Sequence, residues 1–426
     1  MEVKFNAVEW AKSATIYEVN VRQYTKEGTF EAFGKHLPRL HDMGINVLWF
    51  MPVTPISNVK RLGTLGSYYS CSDYTSINPE FGTIEDFKTL IVAAHEQGFK
   101  VMIDWVANHT GWNHTWTQEH PEFYKKDTDG NFYDSNGWED VIDLDYSSRR
   151  MRHAMIAAMN YWIKECDIDG FRCDMAHLIP LDFWREARET LDNAKQLFWL
   201  AETEEPAYHD VFDATYAWEL LHKMEAVYKG SADVKHLDGV LKKYNTVFTK
   251  DAMRLFFITN HDENSHSGSE FERMGVASKA FAVLCATWHN SIPLIYSGQE
   301  LPNVKRLKFF DKDEIEWKER VELHSFYKVL LRLHQDHPAL QAGDDDIITT
   351  RLLTTADDLV LAFIRQKQER QVMVLLNLSP NDRVKFEVLN ESVTGTFTSA
   401  FSGIENDFTN DKSFELQAWE FLVYHK

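Results

Sequence analysis

The chain has 426 residues, of which 44% are hydrophobic and 26% charged, and these proportions exclude disordered, collagen-like and coiled-coil proteins. Acidic residues outnumber basic ones by 65 to 45, and a net charge of −20 argues against nucleic acid or a membrane surface as a partner. At this length a single core requires a large fold such as an α/β barrel, with a small second domain beside it.

The sequence contains neither an apolar run near the roughly 18 residues of a membrane span nor a signal-like segment in its first residues, MEVKFNAVEWAK. We therefore expect a cytoplasmic protein if the chain is complete, and a secreted or periplasmic one if a signal has been removed. The four cysteines form no CxxC pair. They are expected to be free thiols, mostly buried.

Short apolar runs alternate with amphipathic helical patterns from the N-terminus to about residue 335. The runs predict eight strands: Thr15–Asn20, Asn46–Phe50, Lys100–Asp104, Gly170–Asp174, Phe198–Glu202, Val211–Tyr216, Arg254–Thr259 and Ile292–Tyr296. Eight βα units close into a TIM barrel, which is the predicted fold. An open, doubly wound parallel sheet is the alternative.

Two regions depart from this alternation. A long insertion rich in Trp, His, Asp, Asn and Gly follows the third strand, and insertions of this length are usually functional. From about residue 345 the pattern contains only strands, predicted at 359–365, 371–379, 384–389 and 418–425. The predicted domains are a barrel over 1–104 and 149–344, an insertion over 105–148, and an antiparallel β domain over 345–426.

The fourth predicted strand carries two charged residues on one face. Arg172 and Asp174 alternate with Phe171 and Cys173, so they point towards the barrel axis while the apolar pair faces the helices. Charged side chains are rarely buried unless they are paired. A purely structural Arg–Asp pair is therefore one interpretation of this segment, and a catalytic carboxylate is the other.

Three further strands end in acidic residues, at Asp104, Glu202 and Asp262. The carboxyl ends of barrel strands meet on one face, so these side chains should converge there with Asp174. Crowded carboxylates repel and raise one another's pKa, and folding alone gives no reason to assemble them. Glycoside cleavage needs such a set, with one acid protonated and one carboxylate ionised, and it is the favoured interpretation.

The chain resembles the alpha-amylase family of glycoside hydrolases over almost its whole length. Eight segments carry the resemblance in order: MGINVLWFMPV (43–53), SYYSCSDY (67–74), DWVANH (104–109), DLD (143–145), GFRCDMAH (170–177), WLAE (199–202), FITNHD (257–262) and IPLIYSGQE (292–300). The resemblance implies a (β/α)8 barrel, a domain B inserted after strand 3, and a C-terminal β-sandwich. It also implies retaining hydrolysis of α-1,4-linked glucans such as starch, glycogen or maltooligosaccharides.

The resemblance assigns roles to the three carboxylates. Asp174 matches the nucleophile that forms a covalent glycosyl–enzyme intermediate, and Glu202 matches the acid/base. Asp262 matches the third carboxylate, which binds sugar hydroxyls and favours the oxocarbenium-like transition state. A retaining mechanism predicts that the carboxyl groups of Asp174 and Glu202 lie roughly 5–5.5 Å apart.

The same matching implies the residues that bind the substrate. Arg172 should keep Asp174 ionised, and Asp104 should orient Arg172 from behind. The remaining matches are two hydroxyl-binding histidines, a stacking tyrosine and a contact on the leaving-group side: His109, His261, Tyr69 and His177. Four insertion tryptophans are candidate sugar platforms: Trp105, Trp112, Trp116 and Trp138.

The resemblance requires no cofactor for the chemistry. Asn108 and Asp143 match two side-chain ligands of a structural calcium site in many family members. Calcium takes 6–8 oxygen ligands, so these two alone do not complete a site. Calcium is therefore an open expectation.

Two other activities remain open. The first is a transglycosylase, a maltogenic or neopullulanase-type enzyme or an α-1,6-glucosidase, because these share the chemistry up to the covalent intermediate. The second is a non-catalytic glucan-binding relative, which we would expect to lack at least one of the three carboxylates, whereas all three are present here.

Overall fold

The computed structural model describes residues 5–426. Ten strands precede the C-terminal domain: β1 (Ile16–Val19), β2 (Val47–Phe50), β3 (Lys100–Trp105), β4 (His109–Gly111), β5 (Val141–Asp143), β6 (Gly170–Cys173), β7 (Phe198–Ala201), β8 (Ala214–Tyr216), β9 (Met253–Phe256) and β10 (Ser291–Tyr296). All of them except β4 and β5 form one closed barrel in the order β1-β10-β9-β8-β7-β6-β3-β2. Every neighbouring pair in that barrel is parallel.

The predicted TIM barrel is therefore confirmed, and the open sheet is excluded. Each of the eight predicted strands corresponds to one barrel strand, with ends that differ by a few residues. The largest differences are three residues, at the start of β8, predicted at Val211 but found at Ala214, and at the end of β9, predicted at Thr259 but found at Phe256. A helical turn over Pro206–Asp210 precedes β8, and the Val211 N–H donates to the carbonyl of Tyr208 in that turn.

Among the described residues, twelve α-helices pack around and beside the barrel: α1 (Val21–Tyr24), α2 (Phe30–Gly34), α3 (Leu37–Met43), α4 (Ile84–Glu96), α5 (Thr115–Glu119), α6 (Arg149–Cys166), α7 (Leu181–Leu191), α8 (Trp218–Tyr228), α9 (Val234–Val247), α10 (Glu270–Met274), α11 (Ser278–Thr287) and α12 (His324–Asp336). Local sequence explains where several begin. Thr83 and Asp86 form a capping box on α4, and Ser148 caps α6. The apolar stripe of α6, which includes Met151 and Trp162, is buried against the barrel.

The insertion after β3 contains the antiparallel hairpin of β4 and β5 and the short helix α5. Its first residue, Trp105, is still part of barrel strand β3. His109 of β4 pairs with Asp143 of β5, so both ends of the insertion meet at the carboxyl end of β3. The insertion is thereby placed on the face of the barrel where the strand-end carboxylates lie.

The C-terminal region is an antiparallel β domain with eight strands: β11 (Ile348–Leu352), β12 (Val360–Lys367), β13 (Arg370–Asn377), β14 (Val384–Glu387), β15 (Thr396–Ser399), β16 (Glu405–Asp407), β17 (Ser413–Leu416) and β18 (Phe421–His425). A six-stranded sheet in the order β11-β12-β13-β18-β15-β16 shares a core with the pair β14 and β17. The sequence predicted four of these eight strands. The other four are short and expose at least every second residue, so they lack an apolar run.

All four cysteines are free and buried, as expected from their spacing. Within residues 5–426, no helix combines the length and the apolar character needed to cross a membrane.

Candidate active site

The guanidinium of Arg172 joins the carboxylates at the ends of three neighbouring strands. Its Nη1 lies 2.9 Å from Asp104 and 2.9 Å from Asp174, and its Nη2 lies 2.8 Å from Glu202. The Arg172 side chain is fully buried, and its Nε donates to the hydroxyl of Tyr216 at 3.0 Å. Strands β3, β6 and β7 are adjacent in the barrel, which explains why one side chain reaches all three carboxylates.

The second oxygen of Glu202 accepts a hydrogen bond from the Met175 N–H at 2.8 Å. Met175 follows β6 with φ +41°, a backbone conformation that costs a residue with a Cβ about 1–3 kcal/mol. That conformation belongs to the turn whose N–H binds Glu202. The strain is therefore coupled to the position of the carboxyl group.

Burial dominates the acid–base properties of these carboxylates. It raises the pKa of Glu202 to about 7, although the nearby Arg172 charge opposes the shift. Burial also raises the pKa of Asp174 above its ordinary value, and Arg172 opposes that shift as well. The expectation that Arg172 favours ionised Asp174 thus describes the smaller of two opposing effects. Near neutral pH, Glu202 is the group that retains a proton most readily, as a general acid requires.

A second set of hydrogen bonds runs from β1 through His261 to Asp104. Nδ1 of His261 contacts the buried carboxylate of Glu18, and Nε2 lies 2.7 Å from the hydroxyl of Tyr69. That hydroxyl donates to Asp104 at 3.0 Å. Burial alone would lower the pKa of His261, but Asp262 and Glu18 raise it to about 9. His261 is therefore a cation at neutral pH and donates from both ring nitrogens.

Asp262 lies beside this cation, with its carboxylate 3.3 Å from Nε2 of His261 and 41% of its side chain exposed. His109 is buried, and burial lowers its pKa, so it is neutral at pH 7. Asp174, Glu202, Asp262, Tyr69 and His109 all line one cavity of about 520 Å³ at the mouth of the barrel.

His177 and Trp105 do not line this cavity, and the predicted contact of His177 on the leaving-group side stays a prediction. His177 is exposed, and the residues that line the cavity do not include it. Trp105 is 1% exposed and packs against Tyr74 and Phe171, so the prediction that it is a sugar platform is wrong.

The three other insertion tryptophans differ in what they can contact. The ammonium of Lys60 covers the ring of Trp112 at 3.4 Å, and Trp116 packs edge-on against Phe123. Trp138 is 36% exposed, packs against His109 and lines the cavity. Trp138 is therefore the one of the four that faces the site.

Asn108 and Asp143, the two predicted calcium ligands, lie at the base of the hairpin formed by β4 and β5. One oxygen of Asp143 accepts hydrogen bonds from Ser135 and lies 3.0 Å from the ammonium of Lys125. Asn108 Nδ2 lies 3.2 Å from Nδ1 of His109. Within residues 5–426 no three His, Cys, Asp or Glu side chains are arranged to hold a metal ion. The ammonium of Lys125 supplies positive charge beside Asp143, and calcium binding by Asn108 and Asp143 stays a prediction.

Three residues of the site were not identified from sequence. Glu18 holds His261, Tyr216 holds Arg172, and Phe309 stacks on Tyr69 with ring centroids 6.2 Å apart. Glu18 had a usable signal, since it is a charged residue inside the apolar strand IYEV and points to the barrel axis. Phe309 had none, because it lies in an irregular loop after β10.

A parallel barrel that brings a carboxyl group protonated near neutral pH and a second carboxyl group to one guanidinium at one cavity has the arrangement that glycoside hydrolysis requires. The chain belongs to the alpha-amylase family, since the model of the alpha-amylase catalytic domain matches residues 19–134 and 122–342.

The chain is similar to the alpha-amylase MalA of Haloarcula japonica, with 27% identity over 88% of this chain and 56% of that protein. Its fold is similar to that of a noncanonic maltogenic alpha-amylase, AmyB, from Thermotoga neapolitana, with a TM-score of 0.89 and 27% identity over 98% of this chain and 99% of that one. An alpha-amylase from Lactobacillus plantarum has a TM-score of 0.88 and 27% identity over the same shares of the two chains. The chain thus spans little more than half of the Haloarcula protein but nearly all of the two solved structures.

Proposed function

We propose that this protein is a retaining glycoside hydrolase that cleaves α-1,4-glucosidic bonds of starch-type glucans or maltooligosaccharides. The observation that carries the proposal is the Arg172 guanidinium, which contacts both Asp174 and Glu202 at one cavity. The names of the similar Haloarcula, Thermotoga and Lactobacillus proteins agree with an α-glucan substrate.

The first chemical step is displacement of the leaving sugar. A carboxylate oxygen of Asp174 attacks the anomeric carbon while the glycosidic C–O bond breaks, and Glu202 gives its proton to the departing oxygen. The products of this step are a free chain end, a glycosyl ester on Asp174 and ionised Glu202. The raised pKa of Glu202, about 7, supplies the proton at neutral pH.

The second step is hydrolysis of the ester. Ionised Glu202 takes a proton from water, the hydroxide attacks the anomeric carbon, and the C–O bond to Asp174 breaks. Both residues return to their starting states, and the anomeric configuration is retained after two inversions. Arg172 contacts Asp174 and Glu202 throughout and balances whichever of them carries the negative charge.

The other polar groups act on the sugar that is bound to Asp174. The hydroxyl of Tyr69 is held by Asp104 and His261, which fixes its ring at the wall of the cavity. Asp262, exposed in the cavity beside cationic His261, provides a negative charge near the ring where positive charge develops.

We further propose that the protein is stable without calcium. The ammonium of Lys125 supplies the positive charge next to Asp143 that an ion would otherwise supply. No step of the reaction requires a metal or another cofactor.

The proposed activity is tested by chromatography of the products from soluble starch, maltoheptaose and isomaltose. Hydrolysis of the two α-1,4 substrates, but not of isomaltose, is expected, and exclusive attack on isomaltose would contradict the proposal. Formation of longer oligosaccharides from maltoheptaose would instead identify a transglycosylase. Maltose as the sole product would indicate a maltogenic enzyme.

Asp174→Asn should abolish turnover without unfolding the protein, because the amide cannot form the ester. Asp129→Asn is the matched control, since Asp129 is exposed in a turn of the insertion. Appreciable activity of Asp174→Asn would show that the nucleophile is assigned wrongly.

A further inference from the structure

The strand order places the acid/base Glu202 and the loop residue Phe309 on opposite sides of the cleft. Four strand positions separate β6 from β10 in either direction around the closed barrel, and four separate β7 from β1. Asp174 and Glu202 follow β6 and β7, whereas Phe309 lies in the loop that follows β10. The cavity extends from the carboxylates to Phe309 and its neighbour Phe310. The cleft therefore runs across the mouth of the barrel from β6 and β7 towards β10.

Chemistry determines which end of the substrate lies at which side. Glu202 protonates the glycosidic oxygen, so the leaving sugar departs on the side of β6 and β7, where the Met175 N–H holds Glu202. The sugar that remains on Asp174 is bonded on its other side to the rest of the chain, and the part of the cavity opposite Glu202, towards β10, is the side on which we place those sugars. Phe309, Phe310 and Leu62 lie on that side of the cavity.

A direct connection between two loops closes this side. We call it the end bridge; it consists of residues 62–66, after β2, and residues 309–311, after β10. Leu65 N–H donates to the carbonyl of Phe310 at 3.0 Å. Thr64 donates to Asp311 through its N–H at 2.8 Å and through its hydroxyl at 2.6 Å. Because β1 alone separates β2 from β10, the end bridge spans the mouth of the barrel over β1.

Steric fit shows how closely the two loops approach. Gly63 has φ +62°, and a Cβ built on it would lie 2.5 Å from the Cβ of Phe310 and 2.8 Å from its carbonyl oxygen. No side chain fits at that distance. The two loops are therefore in contact and leave no channel between Gly63 and Phe310.

Buried polar groups below the end bridge fix it in position. The guanidinium of Arg22 is fully buried and donates to the carbonyl of Gly66 at 3.0 Å and to that of Phe309 at 3.4 Å. It also pairs with Glu80 at 2.8 Å. Gln23 donates to the carbonyls of Lys308 and Asp311 at 2.8 and 2.7 Å. A loop held by this many buried hydrogen bonds is a rigid wall rather than a lid.

The inner face of the wall is aromatic. The ring of Phe309 is nearly parallel to that of Tyr69, at an angle of 16°, and lies 5.2 Å from the ring of His266. Phe310 packs edge-on against Phe309 with centroids 5.0 Å apart. Such a face packs against the last sugar of a chain and blocks the path of a longer one.

We infer that the end bridge closes the glycone side of the cleft, so that the enzyme binds a free non-reducing chain end and releases short products from it. This inference rests on the proposed α-glucan hydrolase activity and adds the mode of attack to it. Phe309 and Phe310 are then specificity-determining residues, and Arg22 is a positioning residue.

The test compares two maltoheptaosides with the same chromogenic group at the reducing end. One has a free non-reducing end, and the other has that end blocked by a 4,6-O-ethylidene group. We expect the purified enzyme to cleave the free substrate and to cleave the blocked one about 100-fold more slowly, because the blocked end cannot fit against the wall. Similar rates on the two substrates would overturn the inference and leave the proposed activity intact. Cleavage of neither would overturn the proposed activity, and the inference with it.

A double variant, Phe309→Ala with Phe310→Ala, tests which residues form the wall. It removes both rings but keeps the backbone groups that Arg22 and Leu65 bind. The ratio of the two rates should narrow to about tenfold or less, because a chain can then extend past the gap. Phe401→Ala, in the C-terminal domain and 37% exposed, is the matched control and should keep the ratio of the unmodified enzyme. An unchanged ratio in a double variant of normal circular dichroism would overturn the assignment of the wall.

Discussion

Replacement of the acid/base by its amide, Glu202→Gln, should stabilise the protein at alkaline pH while it abolishes turnover. Glu202 is buried, with 7% of its side chain exposed, and shares Arg172 with two other carboxylates. Glutamine has nearly the same shape and resembles the protonated acid. The variant therefore removes the cost of the buried charge and keeps the acceptor that Met175 N–H binds.

The size of the effect follows from the pKa of Glu202. Burial raises that pKa from the ordinary 4.5 to about 7. Each unit by which the pKa differs between the folded and unfolded states corresponds to about 1.4 kcal/mol. The ionised carboxylate therefore costs the folded state about 3 kcal/mol. The folded protein binds more protons at this site than the unfolded chain between about pH 4.5 and 7. The free energy of unfolding therefore falls as the pH rises through that interval. The Glu202→Gln variant lacks the ionisable group, so this decrease does not occur in it.

The assay is urea-induced unfolding followed by tryptophan fluorescence at pH 8 and pH 4.5. At pH 8 the Glu202→Gln variant should be more stable than the unmodified protein by about 3 kcal/mol, and at pH 4.5 the two should be nearly equal. Glu205→Gln, an exposed residue three positions further on, is the control and should show no such dependence on pH. A Glu202→Gln variant that is no more stable at pH 8 would refute the argument that burial sets the pKa of the acid.

Three further predictions concern pH, metal and the domain interface. The pH profile of kcat/KM should be bell-shaped: it should fall as the pH rises through about 7, where Glu202 loses its proton, and fall at acid pH, where Asp174 gains one. Incubation with EDTA should leave the free energy of unfolding unchanged, and a large effect of EDTA would contradict the calcium-free proposal. Lys125→Met should lower the free energy of unfolding by about 1–2 kcal/mol, because the buried Asp143 loses its partly exposed cation. Arg365→Ala should lower the free energy of unfolding by about 3 kcal/mol, because this buried side chain of β12 donates to the carbonyls of Trp288 and Gln341 beside the barrel. The control is Arg383→Ala, which removes an exposed side chain and should have little effect.

The barrel was predictable because most of its strands are short apolar runs that are buried on both faces. β2, with the sequence VLWF, and β7, with FWLA, have no exposed residue, so composition alone distinguishes them from the helices. The C-terminal domain was harder to predict. Strand β16, Glu405–Asp407, is formed by polar residues at the edge of its sheet, and only its pairing with β15 makes it a strand.

The catalytic carboxylates were predictable because a charge at the end of an apolar strand has few structural explanations. Asp174, Glu202 and Asp104 fall on adjacent strands, and parallel strands bring their ends together. The wall of the cleft was not predictable in this way. Phe309 and Gly63 are separated by almost 250 residues, and their loops meet only because β1 closes the barrel between β2 and β10.

The network of charges at the mouth of the barrel explains why one proton stays in the site at neutral pH. Five carboxyl groups lie there: Glu18, Asp104, Asp174, Glu202 and Asp262. Only two cations face them, Arg172 and His261, and the pKa of His261 is raised to about 9 by the same carboxylates. A buried excess of negative charge is costly, and binding a proton relieves it. Burial is the largest cause of the raised pKa of Glu202, about 7, and the neighbouring Asp174 and Asp262 raise it further, so the buried site that weakens the fold also keeps the general acid protonated.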